Sequence, residues 1–400
     1  MIKAAVMGFG TIGSGVVEVL SINKESIAKK VGDTIEVKYV LDLRDFEGHP
    51  IQDKLVHDYQ TIVEDKEVSI VVEAMGGVEP AYTFVKAMLE AGKHVATSNK
   101  ALVAEKGAEL LELAKAHNVN FQFEASVGGG IPIIRPLKSC LTADVIEEIT
   151  GIVNGTTNYM MTEMAEKGAD FADVLKDAQA KGYAEKDPTA DIEGYDAGRK
   201  IAILTSLVAG QQVDFEDIHT EGISHITSTD IKYAKAMGRS IKLLATSKKV
   251  GNDYAVMVAP FLLAPEHPLY SVNGVFNAIF VKGNVLGDAM FYGSGAGMLP
   301  TASAVVADMV EMAKNLNKHI PIEWRAEKLE LVDYKEFSHR FFVRTAADTD
   351  AISEVFGAVE YVKAEGMEGE NGFLTDIMSE AEFETKKAKL ANVIQVIRVK

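Results

Sequence analysis

Residues 3–13, with the sequence KAAVMGFGTIG, decide the fold that we expect for the first third of the chain. The apolar residues before Gly8 predict a buried strand, and a G-x-G-x-x-G turn follows it directly and opens a helix. Gly8 permits the tight turn, Gly10 lets a pyrophosphate approach the backbone, and Gly13 lets the helix pack against the strand. The free N–H groups at the start of that helix favour phosphate. The predicted dinucleotide-binding residues are Gly8, Phe9, Gly10, Thr11, Ile12 and Gly13.

Short apolar runs alternate with helical patterns through residues 1–135. The predicted strands are Lys3–Met7, Val37–Leu43, Ile70–Glu73, His94–Thr97 and Asn120–Glu124, and the predicted helices are Thr11–Lys29, Ala81–Ala91 and Ala104–Ala116. Strands separated by single helices predict an α/β domain with a Rossmann-type, doubly wound parallel sheet. We expect ligands to bind at the edge where the carboxyl ends of the strands lie.

Two further domains are expected after residue 135. Residues 136–330 predict an α+β domain with a mixed or antiparallel sheet, which would bind substrate and form dimer contacts. Its predicted strands are Val145–Asn154, Asp253–Leu263, Ala278–Val281 and Val285–Tyr292, and its helices are Asn158–Lys167, Phe171–Lys181 and Asp191–Ala209. Residues 295–320, with a helix over Ala302–Leu316, should pack back on the first domain. Residues 337–400 follow a β-α-β-β-α-β order, which is typical of a ferredoxin-like module of the ACT type.

The composition restricts the classes of function. A formal net charge of −17 without a basic run argues against a nucleic-acid partner, because binding phosphate backbones needs clustered Lys and Arg. Cys140 is the only cysteine, so no intramolecular disulfide can form, which suits a reducing compartment. No window approaches the roughly 20 apolar residues of a membrane helix, and no secretory apolar region stands near Met1. We therefore expect a cytoplasmic, soluble protein without a membrane partner.

The end of the second predicted strand carries charges of both signs, in the order Asp42, Arg44, Asp45. An acidic side chain there would bind the ribose hydroxyls of NAD, whereas Arg44 could pair with the 2′-phosphate of NADP. Alternatively, Arg44 and Asp45 simply cap a strand end in water. The choice between the two cofactors stays open, with NADP slightly favoured.

Asp196 and Lys200 form the candidate catalytic pair. They lie four residues apart on one face of a predicted helix, in the favourable order, and Asp191 is suitably positioned to cap that helix. Because residues 201–209 are almost wholly apolar, the pair should lie at the edge of a core. A carboxylate there would orient the lysine, and desolvation would ease release of its proton. A solvated surface bridge and a buried structural ion pair are the alternatives.

Two more segments lie where the cofactor is expected. Thr97-Ser98-Asn99-Lys100 follows the fourth strand at the ligand-binding edge, which makes Thr97 and Ser98 cofactor candidates and Lys100 a second catalytic candidate. A second Gly-rich turn, Gly293–Gly297, precedes a helix, and Gly297 could approach the cofactor or merely connect two elements. The nine histidines show no metal-ligand spacing.

The segment from Ala178 to Lys200 resembles the signature of the homoserine dehydrogenase family. The matching positions are Ala178, Gly182, Tyr183, Ala184, Asp187, Pro188, Asp191, Ile192, Gly194, Asp196 and Lys200. Further segments that resemble the family are Gly8–Gly13, Val72–Pro80, Ser98–Lys100, Glu124–Pro132, Asn154–Tyr159 and Gly295–Ala304, so the resemblance covers roughly residues 1–325.

The resemblance implies reversible hydride transfer between NAD(P)H and aspartate 4-semialdehyde, which yields L-homoserine. It implies that Lys200 donates the proton to the carbonyl oxygen, with Lys100 beside it and Asp196 orienting Lys200. Glu185 would bind the substrate's amino group, and the other implied substrate-binding residues are Asp191, Thr156, Gly155 and Tyr183. The resemblance also implies a structural sodium ion, held largely by backbone carbonyls at Glu124, Val127, Gly129 and Ile131.

Two other functions fit the same architecture. One is a related amino-acid dehydrogenase, such as one acting on aspartate, and the other is a regulatory protein that binds a dinucleotide without turnover. The tail departs from effector-binding ACT modules, because Ala346–Ala351 has neither Pro nor Gly after the first strand. The sequence therefore leaves threonine feedback open and offers assembly as another role for the tail. We expect a homodimer or homotetramer.

Overall fold

The computed structural model describes residues 1–400, and the chain divides into two compact units. The first unit comprises residues 1–144, 202–215 and 293–329, and the second comprises residues 145–201, 216–292 and 330–400. These ranges differ from the predicted domain limits, because residues 202–215 belong to the first unit and the C-terminal tail shares the second unit with residues 145–201.

The first unit begins with alternating strands and helices. In chain order these are β1 (Ile2–Met7), α1 (Thr11–Ile22), α2 (Lys24–Val31), β2 (Ile35–Leu41), β3 (Leu55–Val56), α3 (Gln60–Glu64), β4 (Val68–Glu73), α4 (Ala81–Glu90), β5 (His94–Thr97), α5 (Lys100–Ala116) and β6 (Phe121–Gln122). The strands form one parallel sheet in the order β3-β2-β1-β4-β5-β6. The strand order reverses next to β1, so the predicted doubly wound parallel sheet is confirmed, and its carboxyl ends share one edge.

Two predicted helices in this unit begin or end at other residues than expected. The predicted helix Thr11–Lys29 breaks at Asn23, between α1 and α2, where an Asn side chain is more favourable than inside a helix. Helix α5 begins at Lys100 rather than Ala104, because the Asn99 side chain accepts a hydrogen bond from the N–H of Leu102 and caps the helix there. Lys100 therefore lies on a helix and not in a loop.

The middle of the chain supplies most of the second unit. The elements of the middle of the chain are β7 (Ile146–Ile152), α6 (Gly155–Lys167), α7 (Phe171–Ala180), α8 (Thr189–Ile192), α9 (Tyr195–Ala209), β8 (Gln211–Gln212), β9 (His219–Thr220), α10 (Ser228–Ala236), β10 (Ser240–Val250), β11 (Asp253–Leu263), β12 (Phe276–Gly283) and β13 (Gly287–Ser294). Of these, β8 and residues 202–209 of α9 belong to the first unit. The remaining elements are α11 (Met298–Lys314), β14 (Arg325–Lys328), β15 (Ser338–Thr345), α12 (Thr349–Phe356), β16 (Glu360–Val362), β17 (Asn371–Leu374), β18 (Met378–Ser379), α13 (Glu380–Lys387) and β19 (Val393–Val399).

Helix α11 returns to the first unit and packs along α1. Gly15 permits this close approach, since a Cβ there would lie 2.9 Å from Cγ of Met298 and 3.0 Å from Cβ of Ala302. The buried side chains of α11 join the core formed by β1, β2, β4 and α1. Helix α11 therefore belongs to the core of the first unit.

The second unit contains one mixed sheet, as predicted. Its main strand order is β13-β12-β7-β10-β11-β19-β15-β17-β16, with antiparallel pairs through β12, β7, β10 and β11. Strand β10 was not predicted, and Lys242 near its start is of a residue type that is rarely buried. The Lys242 ammonium is nevertheless buried and donates to the Val272 carbonyl at 2.6 Å and to the side chains of Asn273 and Asn158 at 2.8 and 3.1 Å.

Helix α10 was also not predicted, although its start carries a local signal. The Thr227 hydroxyl accepts from the N–H of Asp230, and the Asp230 carboxylate accepts from the N–H of Thr227, which forms a capping box. None of the helices in the chain combines the length and apolar composition that crossing a bilayer requires.

The C-terminal module, residues 338–399, continues the sheet of the second unit. Its four main strands are antiparallel and lie in the order β19-β15-β17-β16, with α12 and α13 connecting them in a β-α-β-β-α-β sequence. Strand β19 pairs in parallel with β11, where Arg398 lies opposite Phe261. Because backbone hydrogen bonds join the two, the tail is part of the second unit's sheet.

Candidate active site

The Gly-rich turn between β1 and α1 has the geometry that its glycines predicted. Gly8 has φ of +92°, and a Cβ there would lie 2.9 Å from the Ala74 carbonyl oxygen, so only glycine fits. A Cβ on Gly13 would overlap the Gly8 carbonyl oxygen. No side chain caps the N-terminus of α1, which begins at Thr11 after Gly10, so Phe9, Thr11 and Ile12 lie at an open helix end. Such an end suits a pyrophosphate.

Asp42, immediately after β2, connects the Gly-rich turn to Arg44. Its carboxylate accepts from the N–H of Phe9 at 2.8 Å and from the Arg44 guanidinium at 2.9 Å. The hydrogen bond from Arg44 holds the pKa of Asp42 well below its usual range. Arg44 also donates to the Phe9 carbonyl at 3.1 Å, and its side chain is 61% exposed. Arg44 therefore lies beside the turn with a cation accessible to a ligand.

The carboxyl ends of β4 and β5 are joined by a buried carboxylate. Glu73 accepts from the Thr97 hydroxyl at 2.5 Å and from the N–H groups of Met75 and Gly76. Burial raises the pKa of Glu73, and these hydrogen bonds act in the opposite direction. The Thr97 hydroxyl accepts from the N–H of Asn99 at 2.9 Å, which orders the segment through Ser98 to the start of α5.

Gly297 occupies the N-cap position of α11 and has φ of +118°. No side chain accepts a hydrogen bond from the N–H groups at this end of the helix. The sulfur atom of the next residue, Met298, lies 3.9 Å from the hydroxyl oxygen of Ser14 on α1. The second Gly-rich turn, which ends at Gly297, therefore lies next to α1, the helix that follows the first Gly-rich turn.

Four side chains of the second unit form a polar cluster, which we name the substrate cluster after its predicted role: Asn154, Asp196 and Lys200, which are buried, and Asp191, which is partly buried. The Lys200 ammonium donates to the Asp196 carboxylate and to the Val153 carbonyl, each at 2.7 Å. The Asn154 amide donates to Asp191 at 2.7 Å and to Asp196 at 2.9 Å. Lys200 is 9% exposed and Asp196 is 3% exposed, so the predicted pair forms at the edge of a core and not in bulk solvent.

Asp191 was wrongly predicted as a helix cap. It lies inside the short helix α8, and the long helix α9 begins four residues later at Tyr195. Its carboxylate is instead a hydrogen-bond acceptor within the substrate cluster. The misassignment arose because Pro188 starts a separate turn of helix, which sequence spacing does not distinguish from the beginning of α9.

The other predicted substrate residues surround the N-terminus of α6. Gly155 is its first residue, capped by Asn154, and the Thr156 hydroxyl donates to the Tyr183 carbonyl at 2.6 Å. The ring of Tyr183 packs edge-to-face on Tyr159 at 4.9 Å. Glu185 is exposed, and its backbone carbonyl accepts from the Gln179 side chain at 3.0 Å. Thr156 and Tyr183 are thus in contact, whereas the Glu185 side chain points to solvent.

The segment from Glu124 to Ile131 is buried in the first unit. The Glu124 carboxylate accepts from the N–H groups of Ile133, Ile134 and Arg135 at 2.6 to 2.8 Å, which holds the segment in place. A Cβ on Gly129 would overlap the Gly295 carbonyl, so the backbone approach requires glycine. No group of three or more His, Cys, Asp or Glu side chains could hold a metal ion.

Comparison with known proteins identifies the family. A family model described as homoserine dehydrogenase matches residues 132–310, and one for the homoserine dehydrogenase NAD-binding domain matches residues 8–124. A homoserine dehydrogenase of Neisseria gonorrhoeae is 45% identical over 315 residues, which cover 78% of this chain and 72% of the relative. The chain belongs to the homoserine dehydrogenase family.

Solved homoserine dehydrogenases have the same fold. The structure from Thiobacillus denitrificans has a TM-score of 0.92 at 35% identity and covers 100% of this chain and 98% of that chain. A hyperthermophilic archaeal homoserine dehydrogenase in complex with NADPH has a TM-score of 0.68 at 28% identity and covers 80% of this chain and 99% of that chain. The enzyme is an NAD(P)-dependent oxidoreductase that interconverts L-homoserine and L-aspartate 4-semialdehyde, and the two alternative functions are not favoured.

Two residues of this homoserine dehydrogenase were missed in the sequence. Asn154 follows a strand and precedes Gly155-Thr156-Thr157, a helix-cap signal that predicts α6 but not contacts with two distant carboxylates. Glu73 ends an apolar strand, where an acidic residue is unusual, and it lies in the family-like segment Val72–Pro80, but neither signal predicts its contact with Thr97.

Proposed function

We propose that Lys200 is the proton donor to the carbonyl oxygen of aspartate 4-semialdehyde, and that Asp196 orients it. The observation that carries this proposal is the substrate cluster, in which the Lys200 ammonium is buried and has two acceptors, Asp196 and the Val153 carbonyl. An ammonium has three N–H donors, so one is left for a substrate oxygen. A positioned acid of this kind typically contributes 10²–10⁴-fold to the rate.

We propose that Lys100 stabilises the negative charge that develops on the same oxygen. The nicotinamide supplies or accepts the hydride when the cofactor is bound. The support for Lys100 is its place at the start of α5, which follows the carboxyl end of β5 on the ligand-binding edge of the parallel sheet. An ammonium there would act electrostatically without transferring a proton.

The substrate's amino group is positively charged at neutral pH, and carboxylates bind such a group by charge-assisted hydrogen bonds. We propose that Glu185 and Asp191 bind it and that Thr156, Gly155 and Tyr183 complete the pocket. Asp191 and Thr156 are supported by their positions around the N-terminus of α6, whose backbone N–H groups favour the substrate's carboxylate.

The cofactor proposal assigns the pyrophosphate to Gly8–Gly13, with Thr97, Ser98 and Gly297 near the rest of the dinucleotide. We propose NADP as the preferred cofactor, with Arg44 holding its 2′-phosphate. The support is the exposed Arg44 guanidinium beside the Phe9 backbone. Arginine forms paired hydrogen bonds with phosphate, which suits this role.

We propose that a sodium ion binds backbone carbonyls at Glu124, Val127, Gly129 and Ile131. The residues fit this role, because the carbonyl oxygens of Val127, Gly129 and Ile131 belong to buried residues and accept no hydrogen bond from the chain. Buried carbonyls nearly always have a partner, and a hard cation prefers oxygen ligands.

We propose that the C-terminal module is of the ferredoxin-like ACT type and serves assembly of a homodimer or homotetramer in the cytoplasm. The β-α-β-β-α-β order and the strand order β19-β15-β17-β16 support the module type. Assembly of the chain is supported separately by β13, which lies outside the module at the opposite edge of the same sheet and exposes Met290 and Tyr292, because natural sheets rarely leave such an edge uncovered.

Lys200→Ala tests the proton donor. Turnover of L-homoserine should fall by about 10²-fold or more, because no other positioned acid replaces the lysine. The affinity for NADPH, measured by fluorescence titration, should change by less than about twofold. The matched control is Lys167→Ala, which removes another lysine from an i,i+4 pair in the same unit and should leave turnover unchanged. Unchanged turnover in Lys200→Ala would mean that the pair is only structural.

Arg44→Ala tests cofactor choice. The KM for NADP should rise by about tenfold or more, since a charge-assisted contact with phosphate is lost, while the KM for NAD should change little. Initial rates with each cofactor measure this, and Arg325→Ala, with a similarly exposed side chain paired to Glu327, is the control. An equal rise for both cofactors would show that Arg44 acts only through Asp42 and the Gly-rich turn.

Replacing sodium by choline at constant ionic strength tests the cation. A ligand at 100 times its Kd stabilises the folded state by about 2.7 kcal/mol, so the midpoint of thermal unfolding should fall without sodium and recover when it is restored. Identical unfolding curves in the two salts would contradict the sodium proposal.

Sedimentation velocity and steady-state kinetics test the assembly proposal. The full chain should sediment as two or four copies, and millimolar threonine should leave its turnover unchanged. A monomer would contradict the proposed assembly, and inhibition by threonine would assign the module a regulatory role instead.

A further inference from the structure

We propose that Arg398 and Glu221 are positioning residues, through which the C-terminal module holds the segment from Asp191 to Asp196 in place for the substrate. The inference rests on the substrate-binding roles proposed above for that segment. All of the residues concerned belong to the second unit.

Arg398 is the buried link between the module and the rest of the unit. It lies on β19 and is 6% exposed. Its guanidinium donates to both oxygens of Glu380 in the module, at 2.5 and 2.9 Å, and to both oxygens of Glu221, at 2.7 and 2.8 Å. Two bidentate carboxylates fix the orientation of a guanidinium, so Glu221 cannot shift without breaking charge-assisted hydrogen bonds.

The Glu221 side chain is held in its charged form. Burial alone would favour the neutral acid, but hydrogen bonds from His219 and Arg398 lower the pKa of Glu221 to about 2. The ion pair with Arg398 is therefore intact at neutral pH.

The backbone next to Glu221 lies directly against the substrate segment. The N–H of Glu221 donates to the Val258 carbonyl at 2.8 Å, and the N–H of Ile223 donates to the Ile192 carbonyl at 2.7 Å. Between them, a Cβ on Gly222 would overlap the Ile192 carbonyl oxygen and lie 2.5 Å from Cα of Glu193. There is no free space across this contact, so a displacement of Glu221 must also move Ile192 and Glu193.

Ile192 and Glu193 lie between the two carboxylates of the substrate cluster. Asp191 precedes them and Asp196 follows them, and both accept from the Asn154 amide. A misplacement of about 1 Å at such a site can cost about 100-fold in rate. The path from Arg398 to the cluster therefore consists of an ion pair, one glycine and two residues of the substrate segment.

A second buried arginine supplies a matched control. Arg344 on β15 also binds two carboxylates, Asp230 on α10 at 2.6 Å and Glu370 before β17 at 2.8 Å. Glu221→Gln and Glu370→Gln each remove one of the two charges around a buried arginine. Only the first removes the charge that lies next to the Gly222 contact.

The experiment compares these variants in the full-length enzyme by hydrogen exchange and by kinetics. Glu221→Gln and Arg398→Met should each speed amide exchange in residues 189–196 and raise the KM for L-homoserine by about tenfold, with the KM for NADP within about twofold. The double variant should be no worse than the more affected single variant, because the two residues act as one unit. Gly222→Ala, which pushes directly on Ile192, should have the same effects. Glu370→Gln should change neither the exchange of residues 189–196 nor the KM for L-homoserine.

Unchanged exchange in Glu221→Gln would overturn the proposal, as would the same effects in Glu370→Gln, since these would show a general loosening of the module. If Arg398→Met does not fold, Glu221→Gln alone still tests the proposal. This variant should fold because it leaves the ion pair between Arg398 and Glu380 intact. Faster exchange with an unchanged KM would support the mechanical link while contradicting the substrate-binding role of Asp191, so the two proposals are tested separately.

Discussion

A lysine ammonium at the edge of the second unit's core is the constraint on which the candidate site depends. Burying a charge costs several kcal/mol unless it has opposite charge and hydrogen bonds around it. Asp196 supplies the opposite charge to Lys200, the Val153 carbonyl supplies a second acceptor, and the Asn154 amide ties Asp196 to Asp191. These groups come from the end of β7, the start of α6, the short helix α8 and the first two turns of α9. All four elements must therefore meet at one point to provide these partners for the lysine.

In the first unit, carboxylates rather than an ammonium are held near the core by hydrogen bonds. Asp42 and Glu73 are carboxylates at the carboxyl ends of β2 and β4, and each accepts backbone N–H groups from a glycine-containing loop. Such hydrogen bonds order loops that have no regular secondary structure, and they do so at the edge where a doubly wound sheet binds its ligand. The open N-terminus of α1 and the exposed guanidinium of Arg44 provide the complementary positive potential. This edge of the sheet thus combines carboxyl groups that hold its loops with the exposed positive charge of Arg44.

The C-terminal module is joined to the second unit by both backbone and side-chain contacts. Strand β19 pairs with β11, and two buried arginines, Arg344 and Arg398, each bring a module carboxylate together with one from the preceding chain. Breaking one partner of a buried ion pair typically costs 3–5 kcal/mol, so the module is unlike a flexibly tethered domain. Its connection through Glu221 to Gly222 gives it a physical path to the substrate segment.

The sequence by itself determined the Gly-rich turn, the doubly wound sheet, the order of elements in the tail and the pairing of Asp196 with Lys200. Each of these depends on local spacing: a positive φ at Gly8, alternating apolar runs, or two residues four apart on a helix. The tertiary structure alone decided the roles of Asn154 and Glu73, the true place of Asp191 in α8, the buried strand around Lys242 and the pairing of β19 with β11. For Asn154, Glu73 and Lys242 a polar group far along the chain supplies the missing partner, and sequence spacing carries no information about it. A buried Lys, Glu or Asn is unfavourable until that partner is known, and only the folded chain brings the two together.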